Sequence, residues 1–252
     1  MVESTPATTT SVPNNKARIY CRIRPAVFDG SGHDQNGEAV AKSLSAWTDT
    51  SVTLDTQYMF SKDANCYKFP TKVFTPEAQQ TDVYNEFEPL VTEFTNMPGR
   101  NVSLLAYGQT GTGKTHTIFG AKEESLEGIE HLPEWGIFPK VVNSVLEAMK
   151  SAGSKFKLYI GGLEFYLMGC FDLLNKNVPV AVDQRTGPRQ STQVEIKEID
   201  DLRGVMETIY KNRTSAGTKM NVKIRSHDGS SRSHAAMILT LWQERDGNFQ
   251  KS

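Results

Sequence analysis

Residues 108–115 read Gly-Gln-Thr-Gly-Thr-Gly-Lys-Thr, the pattern G-x-x-x-x-G-K-[ST], and they follow directly on the apolar run Asn101–Tyr107 (NVSLLAY). Average residue frequencies produce that pattern by chance in about one chain per hundred of this length, and a preceding apolar strand lowers the rate further. Glycines let successive backbone N–H groups turn inward around phosphate oxygens, and the N-terminus of the following helix adds a favourable dipole. Lys114 would bring a mobile positive charge to the β- and γ-phosphates, and the Thr115 hydroxyl would offer an oxygen ligand to Mg2+. Gly108, Gln109, Thr110, Gly111, Thr112 and Gly113 are the candidate phosphate cradle. The bland alternative is a glycine-rich turn between strand and helix.

Such a loop needs an α/β scaffold, and the chain alternates accordingly. Asn101–Tyr107, bounded by Gly99 and Gly108, has the near-continuous apolar pattern of a strand covered on both faces and is expected to be a central parallel strand. Ala17–Ile23, Phe156–Phe165, Val178–Val182 and Ala235–Gln243 also read as strands, the first closed by Pro25. Thr81–Met97 places Val83, Phe87, Leu90, Val91 and Phe94 on one helical face. Phe138–Lys150 repeats that spacing with Pro139 in its first turn. Asp201–Asn212 does so behind an Asp200 or Asp201 cap, with Leu202, Val205, Met206 and Ile209 inward. Alternating strands and helices over 252 residues predict a three-layer α/β sandwich.

Composition narrows the setting. Lys+Arg is 28 against Asp+Glu 29, so no global charge favours nucleic acid or an anionic membrane. Cys21, Cys66 and Cys170 are odd in number and scattered, unlike a disulfide framework or a metal pair, which points to a reducing compartment. Residues 1–15 lack a basic start and an apolar core, so they read as a disordered leader ahead of a domain at 16–252. No run approaches the ~20 apolar residues of a membrane span. His33, His131 and His227 show no metal spacing, and Asp183 after Val180-Ala181-Val182 only imitates the end of a metal-binding strand.

Two local charge imbalances stand out. Glu123, Glu124, Glu127, Glu130 and Glu134 face one lysine, as a solvated loop would. Lys211, Arg213, Lys219, Lys223, Arg225 and Arg232 face only Asp228 and could meet an anion. This basic stretch ends in Ser230-Ser231-Arg232-Ser233-His234 before a strand. Its hydroxyls and guanidinium suit a sensor of a terminal phosphate, whose loss would relax the loop; a polar surface loop satisfies the same letters.

Several stretches, in order, resemble the kinesin motor domain. They are Arg22-Ile23-Arg24-Pro25, Val73-Phe74 with Asp82-Val83-Tyr84, Tyr107–Thr117 (YGQTGTGKTHT), Gly136-Ile137-Phe138-Pro139, Glu164-Phe165-Tyr166 with Asp172-Leu173-Leu174, and Thr218–Asn221 followed by Ser230–His234. The resemblance covers about 16–243. It implies a mixed central sheet flanked by helices, ATP or ADP with Mg2+ as ligands, microtubules as the partner, hydrolysis coupled to movement, and a cytoplasmic, cytoskeletal setting. Any dimerisation is left to regions outside this chain.

Residue by residue, the resemblance implies that Arg22, Arg24, Pro25 and His116 border adenine. Gly108 to Thr115 would hold phosphates, Thr115 and Ser231 the Mg2+ shell. Ser230 and Ser231 would sense the terminal phosphate, and Arg232 would pair with a glutamate of the family's second switch. Nothing up to Ser252 matches that switch, an Asp-x-x-Gly followed by Ser-Glu, so the expectation is the front portion of such a domain. The alternative is a nucleotide-binding module without turnover. Three departures stand in the chain: Val222–Gly229 lengthens the first switch, Leu167-Met168 replaces a customary Asn-Glu, and Pro70 stands where an Asp is usual.

Overall fold

The computed structural model describes residues 17–25, 44–55, 65–109, 111–120, 133–166, 169–183, 185–220 (backbone alone for 214–220) and 233–251. The expected leader 1–15, Thr110, Leu167, Met168, and the segment 221–232 with Ser230, Ser231 and Arg232 lie outside these residues, as do His33, His131 and His227 and four of the five clustered glutamates. The chain divides into two compact units, Met1–Ala78 and Gln79–Ser252.

In the first unit, β1 (Tyr20–Arg22) is shorter than the expected Ala17–Ile23 and pairs in parallel with β5 (Lys72–Phe74). An antiparallel sheet joins β2 (Leu44–Thr48), β3 (Ser51–Leu54) and β4 (Cys66–Lys68). Ile23, Val52 and Val73 form a small core with Cys21, Leu44, Leu54 and Phe69 packed on it. All three cysteines are free.

The second unit opens with α1 (Gln80–Asn85) and α2 (Glu88–Asn96) where a single helix over Thr81–Met97 is expected. Pro89 explains the break. It has no N–H to offer, and its ring clashes with the carbonyl four residues back, that of Asn85, where α1 ends. The predicted face survives, with Val83, Phe87 and Val91 buried. Next come α3 (Lys114–Phe119) and α4 (Ile137–Ser151), the latter burying Val142, Val145, Leu146 and Met149. The last helix, α5 (Ile199–Met220), turns Leu202, Val205, Met206 and Ile209 inward, as the periodicity requires. Asp201 lies inside it and reaches back to accept the N–H groups of Lys197 and Glu198. Those bonds hold its carboxyl below the usual range.

The sheet of this unit is built on β6 (Phe156–Tyr166), which pairs antiparallel with β12 (His234–Arg245) from Phe165↔His234 to Phe156↔Gln243. β7 (Gly169–Asp172), with β8 (Val178–Pro179) beyond it, and β11 (Gln193–Ile196) attach on the other side of β6, and β13 (Asn248–Lys251) joins β12 through the turn Asp246-Gly247. Both turn residues have positive φ, the conformation that an Asp-Gly pair supplies to a two-residue hairpin. The expected strand Val178–Val182 splits between β8 and β9 (Val182–Asp183), which pairs with β10 (Gly187–Pro188). Leu158, Ile160 and Leu241 of the sheet share one core with α4 and α5. Each such side chain stabilises by about 1.5–3 kcal/mol on burial. The α/β class with a central sheet and helices holds, although every described pairing in this six-stranded sheet is antiparallel.

One expectation fails. Asn101–Tyr107 forms no regular element and is largely exposed, Leu105 to 85% and Tyr107 to 96%. A strand is made by pairing, and no described strand lies hydrogen-bonded to this run. Instead the run lines a cavity of about 480 Å3 with Leu90, Ile118, Phe138 and Leu239.

The helix after the glycine loop is seated by close backbone approach. A Cβ on Gly136 would stand 2.5 Å from Gly120 N and from the Ile118 carbonyl carbon, and neighbouring Trp135 forms a β-bridge with Gly120. Only glycine fits where two backbones meet this closely. Gly136→Ala is expected to destabilise the unit by about 2 kcal/mol or more, as core overpacking does, and urea unfolding measures it; wild-type stability would refute the contact.

Candidate functional site

Gly108, Gly111 and Gly113 take φ of 155°, 80° and 92°, a range that side chains rarely adopt. A Cβ at Gly108 would also stand 2.6 Å from Thr112 Oγ1. The loop is therefore a cradle that glycine alone leaves open. Thr112 Oγ1 donates to Gln109 O at 2.8 Å, closing the turn. Lys114 Nζ donates to Gly108 O at 2.9 Å and Gln109 O at 2.7 Å, so its ammonium lies across its own loop. Thr115 and His116 are exposed at the start of α3.

The elements around the loop hold it in place. Buried Gln80 of α1 donates from Nε2 to His116 O at 2.6 Å. Lys140 of α4, also buried, donates to Thr81 Oγ1 at 3.1 Å and Pro133 O at 3.4 Å, and burial pulls its pKa down. Tyr84 and Ser144 share a 2.7 Å hydroxyl contact, with burial raising the tyrosine pKa. Phe119 meets Tyr210 of α5 edge-on at 5.9 Å. Lys114 and Thr115 line the same cavity as Arg213 and Ser233, which flank the segment 221–232.

The remaining candidates are placed as follows. Arg22 is half-buried in the first unit, its Nη2 donating to Ala78 O at 3.3 Å, and burial lowers its pKa. Arg24 and Pro25 follow it there, while His116 and the glycine loop belong to the second unit. Asp183 closes a surface turn: it accepts the N–H groups of Arg185 and Thr186 and pairs with Arg189 at 2.6 Å. Among the described residues no cluster of three His, Cys, Asp or Glu could hold a metal. A hydroxyl such as that of Thr115, acting beside phosphate oxygens, needs no such cluster.

Sequence reading missed the role of Glu164, which enters above only as a letter of Glu-Phe-Tyr. It is 4% exposed and accepts a hydrogen bond from Ser233 Oγ at 2.6 Å. The available signal was a charge at the end of the inward positions Leu158, Ile160 and Gly162.

A glycine cradle and a lysine opening a helix beside a central sheet define the phosphate-loop α/β class. Comparison with known proteins narrows it. The profile of the kinesin motor domain matches residues 22–252, and the chain belongs to that family. Kinesin-like protein 2 of Schizosaccharomyces pombe is 29% identical over 247 residues, covering 89% of this chain and 27% of that protein. Kinesin-like protein KIN-14G of Arabidopsis thaliana is 29% identical over 239 residues, covering 91% and 22%. Kinesin-like protein KIFC2 of Homo sapiens is 32% identical over 177 residues, covering 67% and 19%. The chain thus spans about a quarter or less of the length of these relatives. A solved structure titled as that of a fast kinesin superposes with a TM-score of 0.71 at 24% identity, covering 93% of this chain and 62% of that one, which shows the shared fold.

Family membership implies nucleotide binding, and the Lys114 ammonium is the charge in the loop placed to meet a phosphate. A charge-assisted hydrogen bond contributes about 1.5–3 kcal/mol. Lys114→Ala is therefore expected to weaken binding of a fluorescent ATP analogue by about 10- to 100-fold with an unchanged circular dichroism spectrum. Equal affinity would remove Lys114 from the site.

Proposed function

We propose that this chain is the nucleotide-binding part of a microtubule motor that hydrolyses ATP to ADP, with Mg2+, and couples the step to the polymer. The observation that carries the reading is the Gly108–Lys114 cradle within a chain of the kinesin motor family. The relative titled as a fast kinesin is described in terms of an ATPase mechanism and interactions with microtubules. A nucleotide-binding module without turnover has no comparable support.

The residues divide the work. Backbone N–H groups of Gly108–Gly113 would wrap the β-phosphate, and Lys114 would release Gly108 O and Gln109 O to meet the β- and γ-phosphates. Mg2+, held by Thr115 and Ser231 hydroxyls, would supply positive charge to the phosphate oxygens. Ser230 and Ser231 would sense the γ-phosphate, and Arg232 would fix the switch through an acidic partner. Arg22, Arg24, Pro25 and His116 would border adenine. The setting is the cytoplasmic microtubule cytoskeleton, and no described helix is long and apolar enough to cross a membrane.

Phosphate release from ATP, measured with and without polymerised tubulin, tests the reading. Turnover should rise at least tenfold on microtubules and vanish when EDTA removes Mg2+. Thr115→Ala should lower the rate about 100-fold, in the range found for loss of a charge-stabilising contact in the transition state. Nucleotide binding with no turnover under any of these conditions would overturn the ATPase assignment.

A further inference from the structure

Glycine on β6 lets α5 approach the sheet. A Cβ on Gly162 would stand 3.2 Å from Ile209 Cδ1 and Cγ1, tighter than ordinary packing. Two residues along a strand advance about 6.6 Å, and four residues along a helix advance about 6 Å. The next contact after Gly162–Ile209 is therefore Glu164–Arg213, and Arg213 Nε does lie 4.0 Å from Glu164 Oε1. Beside it, Asn212 Nδ2 donates to Leu173 O at 2.7 Å, and Asn177 Nδ2 donates to Asn212 O at 3.0 Å, so this turn of α5 is bound to the turn between β7 and β8.

The same Oε1 accepts the Ser233 hydroxyl at 2.6 Å. A carboxylate this buried is stable only with positive charge and hydrogen bonds around it. Glu164 has both, and they come from different places in the chain. Arg213 lies near the end of α5, before residues 221–232; Ser233 immediately follows them. One buried oxygen thus accepts the Ser233 hydroxyl and faces the Arg213 guanidinium at ion-pair distance, longer than a hydrogen bond, and Arg213 and Ser233 line the cavity that Lys114 and Thr115 also line.

We infer that Glu164 is a positioning residue for nucleotide turnover, holding Ser233 by a hydrogen bond and facing the Arg213 guanidinium beside the cavity that Lys114 and Thr115 line. The inference rests on the proposed nucleotide reading. Glu164 touches no phosphate; it acts through Ser233 and Arg213.

The test uses Glu164→Gln in the complete protein as the cell makes it. Glutamine keeps the size and an oxygen for Ser233 but gives up the charge that faces Arg213. The expected result is a kcat about tenfold lower, a KM for ATP within about threefold of wild type and an unchanged melting temperature. Amide exchange should quicken about tenfold at the last turns of α5 and at His234–Ala236, and stay constant in α4. Ser233→Ala should reproduce part of the loss and add little to Glu164→Gln. Wild-type kcat and exchange in Glu164→Gln would overturn the assignment, as would a loss of turnover that follows the fraction unfolded. If the unmodified protein binds no ATP analogue, the nucleotide reading fails by that observation, and the exchange data still decide whether Glu164 holds Ser233 and Arg213 in place.

Discussion

The ten-residue antiparallel ladder between Phe156–Phe165 and His234–Gln243 is the constraint from which the second unit takes its shape. It joins residues about seventy positions apart, so its closure cost must be met by dense packing on both strands. The strands meet this with Leu158, Ile160 and Leu241, all wholly buried. Once the ladder forms, β7 and β11 add to β6, and α5 is drawn onto the glycine-lined stretch at Gly162. Tyr210 of α5 then meets Phe119 at the end of α3. The glycine loop is held through α3 by that contact together with the Gln80–His116 hydrogen bond and the bridge between Gly120 and Trp135.

What the amino-acid order revealed follows the reach of each interaction. The glycine loop was legible because its cause is local: three backbone positions need positive φ, and one lysine follows them. Helices α4 and α5 were legible because their buried faces repeat at 3.6 residues. Asn101–Tyr107 has the composition of a buried strand, yet strand formation depends on a neighbour that composition does not name. The break between α1 and α2 was in plain view at Pro89, but the apolar face continued through it and concealed the effect. Glu164 was hidden for a further reason: its partners lie 49 and 69 residues away, and nothing in Glu-Phe-Tyr specifies either.

Lys114 shows how such a loop stays folded without its ligand. Two backbone carbonyls accept its ammonium, so the charge is satisfied within the loop. In the proposed binding, a phosphate would displace these neutral acceptors, a charged acceptor forming the stronger bond. The difference, rather than the full strength of the new bond, sets the gain on binding. The glycine φ values are already those of the cradle, so little backbone ordering offsets that gain.

A loop of this kind only binds; turnover coupled to movement needs something that answers to the phosphate. Arg213 and Ser233 belong to or adjoin elements that both rest on β6, α5 through its approach at Gly162 and β12 through its ladder. Because a single oxygen of Glu164 serves both, a shift of either element changes the geometry offered to the other. In the low dielectric around a nearly inaccessible carboxylate, small displacements carry larger energies than they would in water. A buried carboxylate of β6 thus stands between two elements seated on the same strand, beside the cavity that the phosphate-loop lysine and threonine also line.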